Sequence, residues 1–112
     1  MLQDLRALVV PDGTETIEEN QYKGKDYERV FIPKSVTEIR HHAFSECENL
    51  KVVVFEEGSM LKTIGEDAFN ACRNLAEINL PKGLESIGSW AFYECKNLKN
   101  IRLPDGLMEI GV

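Results

Sequence analysis

The chain has 112 residues, 43% of them hydrophobic, which suits one folded domain and leaves little room for two. Its formal net charge of −6, with basic residues scattered among acidic ones, argues against a nucleic-acid-binding surface. No run of about 18 apolar residues occurs, so no membrane-spanning helix is predicted. Asp4 and Arg6 interrupt the N-terminal residues, which therefore show no secretory signal.

The first repeated element is a block of the form Leu-x-x-Val-x-Ile-Pro. It occurs five times, with the proline position at residues 11, 33, 56, 81 and 104, and Glu56 replaces the proline in the third copy. Apolar residues alternate with variable ones in each block, which predicts a β-strand. Proline ends such a strand, and the glycine that follows in Pro81-Lys82-Gly83 is typical of a turn.

The second repeated element is Ala-Phe-x-x-Cys-x-x-Leu, which begins at Ala43, Ala68 and Ala91. Its apolar residues are spaced by three and four, which predicts about two turns of helix with one buried face. A short extended segment, Leu84-x-x-Ile87-Gly88, joins the two elements in the best-preserved copy.

The first full repeat departs from this pattern. Tyr22 holds the phenylalanine position, and Lys25 or Asp26 falls near the cysteine position, so we expect this repeat to open outward. Two extra residues near Gly58-Ser59-Met60 predict a loop. The whole chain, 1–112, is one predicted domain, made of a degenerate repeat at about 11–33, regular repeats at about 33–56, 56–81 and 81–104, and an incomplete repeat at 104–112.

No single repeat can bury its own apolar side, so successive repeats must stack as coils, with strands about 4.8 Å apart. The stacking predicts two continuous core columns, one of phenylalanines and one of leucines. They are Phe44–Phe69–Phe92 and Leu50–Leu75–Leu98. The expected class is α/β, with one parallel sheet of about five strands and short helices on the opposite side of the solenoid.

The combined pattern resembles the BspA-like class of leucine-rich repeats over about residues 5–111, most clearly in its three Ala-Phe-x-x-Cys-x-x-Leu blocks. The resemblance implies a right-handed leucine-rich-repeat solenoid. Members of this class are known mainly from bacteria and protists, often as surface proteins implicated in adhesion and protein binding. The class has no shared active site, so the resemblance carries no catalytic residue over.

The cysteines and histidines do not form a pattern typical of catalysis or metal binding. Cys47, Cys72 and Cys95 recur once per coil without the close pairing of a zinc site, which predicts buried core residues. His41 and His42 are adjacent and point in different directions on a helix, so they make a poor chelate. We therefore predict no enzyme, no metal and no cofactor.

The outward side of the predicted sheet is the candidate protein-binding surface. Strand side chains switch faces with period two, so the residues flanking each inward position must point outward. Several of these are apolar, which is unusual for a solvated face. The predicted binding residues are Val9, Arg29, Phe31, Val52, Val54, Glu77, Asn79, Asn100 and Arg102. A neighbouring segment that covers the face remains an alternative, and Trp90 is either an exposed contact residue or packed flat on its neighbours.

Two functions are consistent with these features. The first is a protein-binding module for adhesion or scaffolding, and the second is a structural segment of a larger repeat protein or assembly without a separate ligand. The expected partner is a protein, and self-association through the solenoid ends or the apolar sheet face is a further possibility. A cytoplasmic location is expected if the chain is complete, and a surface or secreted one if it is part of a typical family member.

Overall fold

A computed structural model describes residues 6–99 and 101–111, which form a parallel β-solenoid of about four turns. The described residues contain nine short strands, which belong to two parallel sheets. In chain order they are β1 (Ala7–Val9), β2 (Thr16–Ile17), β3 (Arg29–Ile32), β4 (Glu38–Ile39), β5 (Val52–Phe55), β6 (Thr63–Ile64), β7 (Glu77–Ile78), β8 (Ser86–Ile87) and β9 (Glu109–Ile110). In the described part of the chain, no helix is long and apolar enough to cross a membrane.

The first sheet contains four parallel strands in the order β1–β3–β5–β7. Leu8 pairs with Val30, Val30 with Val53, and Val53 with Ile78, so equivalent positions of successive repeats lie side by side. Val30 and Val53 are almost fully buried, whereas Arg29 and Phe31 on either side of Val30 are exposed. The alternation expected from strand periodicity is therefore present.

A second parallel sheet, in the order β2–β4–β6–β8–β9, corrects the expectation of a single sheet. Its two-residue strands come from the segments predicted as extended connections. Ile39 and Ile64 pair across neighbouring coils and are buried. Their side chains pack in the core beneath the second sheet, as those of Val30 and Val53 pack beneath the first. A fifth strand was expected in the first sheet, but residues 101–103 belong to no strand.

The predicted short helices opposite the first sheet are wrong, because residues 6–99 and 101–111 contain none. An α-helix needs consecutive N–H groups to bond to carbonyls four residues earlier. Here the Phe44 N–H donates to the Ala68 carbonyl of the next coil at 2.8 Å, and the Ser45 N–H returns to the His42 carbonyl at 3.1 Å. Turn bonds within a coil thus alternate with bonds between coils.

Left-handed backbone at two positions in each coil produces this alternation. His42 and Glu46 have φ angles of 57° and 62°, and Asp67 and Ala71 repeat them with 56° and 64°. A left-handed residue cannot continue a right-handed helix, so each one redirects the chain. Apolar side chains spaced by three and four consequently face the core from a series of turns.

Stacked aromatic rings form the centre of the core, as the phenylalanine column predicted. The ring centroids of Phe44 and Phe69 lie 5.2 Å apart, and those of Phe69 and Phe92 lie 5.5 Å apart, with nearly parallel planes. Tyr22 extends the column, because its ring stacks on Phe44 at 5.3 Å. The degenerate first repeat therefore keeps its aromatic position in the stack, while Lys25 at the cysteine position is exposed.

The backbone of one coil passes close to Gly88, the glycine of the Ile87-Gly88 pair. A Cβ atom added to Gly88 would lie 2.5 Å from the backbone nitrogen of Glu66 in the preceding coil. A Cβ atom at that distance would force the backbone to shift, so the spacing between these two coils requires glycine at position 88.

Candidate protein-binding face

Three apolar residues form a continuous row on the outer side of the first sheet. Val9 pairs with Phe31, and Phe31 pairs with Val54, so the three side chains occupy equivalent positions on adjacent strands. Their exposed fractions are 67%, 40% and 44%. The structure therefore places a valine–phenylalanine–valine row in solvent on a sheet whose other side forms the core.

A second outward row lies two residues earlier along the same strands. Arg29 pairs with Val52, and Val52 pairs with Glu77. Arg29 and Glu77 are exposed, and Val52 is half-buried. We call the two rows together the sheet face, which comprises Ala7, Val9, Arg29, Phe31, Val52, Val54 and Glu77.

The sheet face unites six of the nine predicted binding residues. Asn79 and Arg102 are exposed but lie outside the strands. Asn100 is outside the described residues. At the start of the strands, Arg6 pairs with Glu28 at 2.9 Å, and exposed Lys51 directly precedes β5.

A second group of exposed apolar residues, beside Phe92, was not predicted as a site. Trp90, Tyr93 and Leu103 have exposed fractions of 58%, 59% and 46%, and they line a cavity of about 360 Å³ whose wall includes Phe92. Trp90 is exposed, as its position among polar residues predicted, and its role as a contact residue stays a prediction. Tyr93 could have been noticed because it stands where the previous coils have Ser45 and Asn70.

The three cysteines are buried and form no disulfide with one another. Each thiol donates to the backbone carbonyl of the aromatic residue one coil earlier, as Cys72 does to Phe44 at 3.1 Å. Burial raises the pKa of the Cys95 thiol to about 11. The hydrogen bond with the Cys47 thiol, together with burial, raises the pKa of Cys72. The thiols of Cys72 and Cys95 are therefore protonated at neutral pH and are poor nucleophiles, whereas the hydrogen bond with Cys72 lowers the pKa of Cys47.

The His42 side chain lies beside Asp67 of the next coil. His42 Nε2 lies 3.6 Å from an Asp67 carboxylate oxygen, and its buried Nδ1 has no hydrogen-bond partner. Ser45 Oγ, in the same coil, approaches the Asn70 carbonyl at 3.5 Å. Within residues 6–99 and 101–111, no group of three or more His, Cys, Asp or Glu side chains is arranged to hold a metal ion.

The repeats match a known family over almost the whole chain. A sequence model described as the BspA type leucine rich repeat region matches residues 4–112 in six copies. The chain belongs to the BspA type leucine-rich repeat family. The resemblance inferred from its Ala-Phe-x-x-Cys-x-x-Leu blocks is thereby confirmed. No curated protein matches the sequence significantly.

Solved bacterial proteins share the fold of this leucine-rich repeat chain. A T. pallidum leucine-rich repeat protein is 34% identical with a TM-score of 0.88, and the match covers 95% of this chain and 51% of that one. A Bacteroides capillosus leucine-rich repeat protein is 25% identical with a TM-score of 0.78, covering 89% of this chain and 78% of the other. A leucine-rich cell surface protein of Faecalibacterium prausnitzii is 24% identical, with a TM-score of 0.70 and coverages of 96% and 38%. This leucine-rich repeat chain therefore spans about half of the T. pallidum protein.

Proposed function

We propose that this leucine-rich repeat chain is a protein-binding module, for adhesion or scaffolding, and that the sheet face is its contact surface. The observation that carries the proposal is the exposed row of Val9, Phe31 and Val54. Contiguous exposed apolar side chains are typical of interaction sites in soluble proteins. Asn79, Asn100 and Arg102 are assigned to the polar rim of the same surface.

Folding alone gives little reason for apolar residues in this row. The inward positions Val30 and Val53 already supply the core on these strands. Intrinsic strand propensity spans only about 1 kcal/mol, and the next strand carries exposed Glu77 on the same face. The fold therefore accepts polar residues at outward strand positions, and contact with a partner explains the apolar row better than folding does.

The family supports a binding role more than a catalytic one. The F. prausnitzii protein that shares the fold is described as a cell surface protein. A role in adhesion or scaffolding at a bacterial surface agrees with that relative, and we assign no catalytic activity to the chain.

The test compares two variants that remove exposed apolar groups from different surfaces. Phe31→Ser/Val54→Ser alters the sheet face, and Met60→Ser alters an exposed loop position with a similar exposed fraction of 50%. Binding partners are captured by immobilised protein and quantified by mass spectrometry, and each variant is melted as a monomer. We expect the sheet-face variant alone to lose partners, with thermal stability nearly unchanged. Retention of every partner by the sheet-face variant would reject the surface.

The structural-segment alternative is supported by the second apolar group. Trp90, Tyr93 and Leu103 line a cavity beside Phe92, the last ring of the described aromatic column. Apolar side chains of this kind are buried elsewhere in the solenoid where one coil packs on the next. This alternative predicts that Trp90→Ser/Tyr93→Ser, and not the sheet-face variant, abolishes association.

A further inference from the structure

Every second backbone N–H group of a turn segment bonds to the following coil. The first series of these donors, each 2.8 Å from a carbonyl oxygen, is Tyr22, Phe44 and Phe69. The second series, two residues later and at 2.7–2.9 Å, is Gly24, Glu46 and Ala71. Phe92 and Glu94 come next in the two series, and their N–H groups have no acceptor within residues 6–99 and 101–111. Two aligned donors therefore lie on the side of this segment that faces away from the preceding coil.

An apolar cavity of about 360 Å³ lies on that side of the segment, within the size range of about 300–1,000 Å³ that is usual for ligand sites. Its lining residues come from 87–98 and, in the following coil, from 101–111. Phe92 is half-buried here, whereas Phe69 is fully buried beneath the next turn segment. The end of another solenoid cannot stack here in register, because residues 101–111 already occupy the place of its strands.

Aromatic residues replace polar ones at the edge of this cavity. Trp90 stands where the preceding coil has Asp67, and Tyr93 stands where it has Asn70. Both aromatic side chains line the cavity and are more than half exposed. Tryptophan and tyrosine are enriched among the residues that contribute most to binding at protein interfaces. Their presence at these two positions therefore favours contact with a partner over contact with solvent.

We propose that this cavity binds a short polypeptide segment of a partner, which carries an aromatic side chain and adopts the turn conformation of residues 68–72. The aromatic ring of the segment would stack on Phe92, as Phe92 stacks on Phe69 at 5.5 Å. Two carbonyl groups of the segment would accept the N–H groups of Phe92 and Glu94, as carbonyls two residues apart do between the other coils.

Backbone hydrogen bonds would supply affinity in this complex, and the aromatic ring in the cavity would supply specificity. Other proteins recognise peptides in this way when an extended segment is added to the edge of a sheet. The cavity is separate from the sheet face, so the inference does not rest on the proposed function.

The experiment uses a fluorescently labelled synthetic peptide that copies residues 65–76 of this chain, which contain the turn segment of Phe69. The control peptide has aspartate at the phenylalanine position. Binding to the full chain is measured by fluorescence anisotropy under reducing conditions. We expect the phenylalanine peptide to bind at least about tenfold more tightly than the control. Failure of the phenylalanine peptide to bind, or equal binding of the two peptides, would overturn the proposal.

Amide hydrogen exchange of the full chain shows where the peptide binds. The N–H groups of Phe92 and Glu94 should exchange about tenfold more slowly at a saturating peptide concentration, because each gains an acceptor. The N–H group of Tyr93 is the internal control, since it already donates to the Trp90 carbonyl at 3.1 Å and should change less. Unchanged exchange at both Phe92 and Glu94 would contradict the proposed hydrogen bonds.

Two double variants separate this cavity from the sheet face. Trp90→Asp/Tyr93→Asn introduces the residues of the preceding coil, where Asp67 has nearly the same left-handed φ as Trp90, 56° against 59°. Phe31→Ser/Val54→Ser is the control on the sheet face. Only the cavity variant should weaken peptide binding, by about tenfold, and Tyr93→Asn alone replaces it if thermal unfolding shows a loss of stability.

Equal losses in the two variants, or no loss in the cavity variant, would overturn the proposal. The proposed function is tested separately, because it depends on the partners that Phe31→Ser/Val54→Ser fails to capture. Each of the two surfaces can therefore be rejected while the other stands.

Discussion

The Cys72 thiol lies 3.1 Å from the backbone carbonyl oxygen of Phe44 in the preceding coil and donates a hydrogen bond to it. Cys47 makes the same contact with Tyr22, and Cys95 makes it with Phe69, each at 3.2 Å. The repeated cysteine is therefore more than a small apolar residue. It supplies one hydrogen bond that joins each coil to the preceding coil beside the aromatic column.

Substitution of Cys72 tests the value of this bond. From the sequence, Cys72→Ser was expected to cost about 1–3 kcal/mol, because a buried hydroxyl had no assured partner. The structure supplies the Phe44 carbonyl as that partner, so we expect a cost near the lower end, about 1 kcal/mol. Cys72→Ala loses the bond and leaves a small cavity, so it should destabilise at least as much. Urea unfolding compares the two, and a serine variant clearly less stable than the alanine variant would show that the contact contributes nothing.

The raised pKa of Cys95 predicts how stability depends on alkaline pH. The folded chain keeps this thiol protonated up to about pH 11, whereas the unfolded chain loses the proton at the ordinary value of about 9. Above that pH the folded state binds more protons than the unfolded state, so the free energy of unfolding falls as pH rises from about 9 towards 11. Urea midpoints between pH 7 and 10.5 measure the slope. Cys95→Ala should make the slope smaller but not abolish it, because the pKa of Cys72 is raised as well, and an unchanged slope in that variant would contradict the assignment.

Two glycine positions allow a direct comparison of close packing with open space. In Gly88→Ala the new methyl group meets the Glu66 backbone at 2.5 Å, so the coils must separate and the free energy of unfolding should fall by about 1–3 kcal/mol or more. Gly106→Ala is the control, because its Cβ atom meets nothing within 4 Å. We expect the control to be neutral or slightly stabilising in thermal unfolding. Equal losses in both variants would show that the intercoil spacing does not require glycine at position 88.

The sequence was sufficient to predict that equivalent residues of successive repeats lie side by side in the solenoid. Equivalent residues such as Phe44 and Phe69 had to stack, and period-two alternation correctly placed Phe31 outward and Ile32 inward. The predicted helices failed because spacings of three and four report which side chains face the core and contain no information about the sign of φ. The second sheet was missed because two-residue strands such as β6 give no alternation long enough to recognise.

Left-handed backbone in the turns leads to the last prediction, which concerns Ala71. This residue has a φ of 64°, where its Cβ atom crowds the following carbonyl, and the equivalent residue of the first repeat is Gly24 with a φ of 71°. Ala71→Gly relieves that crowding, at the cost of a more flexible unfolded chain, so we expect a gain of about 0.5–1 kcal/mol in the free energy of unfolding. Ala76→Gly is the matched control, since Ala76 is exposed and has no positive φ, and it should lose about 0.5–1 kcal/mol. If Ala71→Gly destabilised the chain as much as the control, residue 71 would not be held in the left-handed conformation, and the explanation given for the absence of helices from the described residues would be wrong.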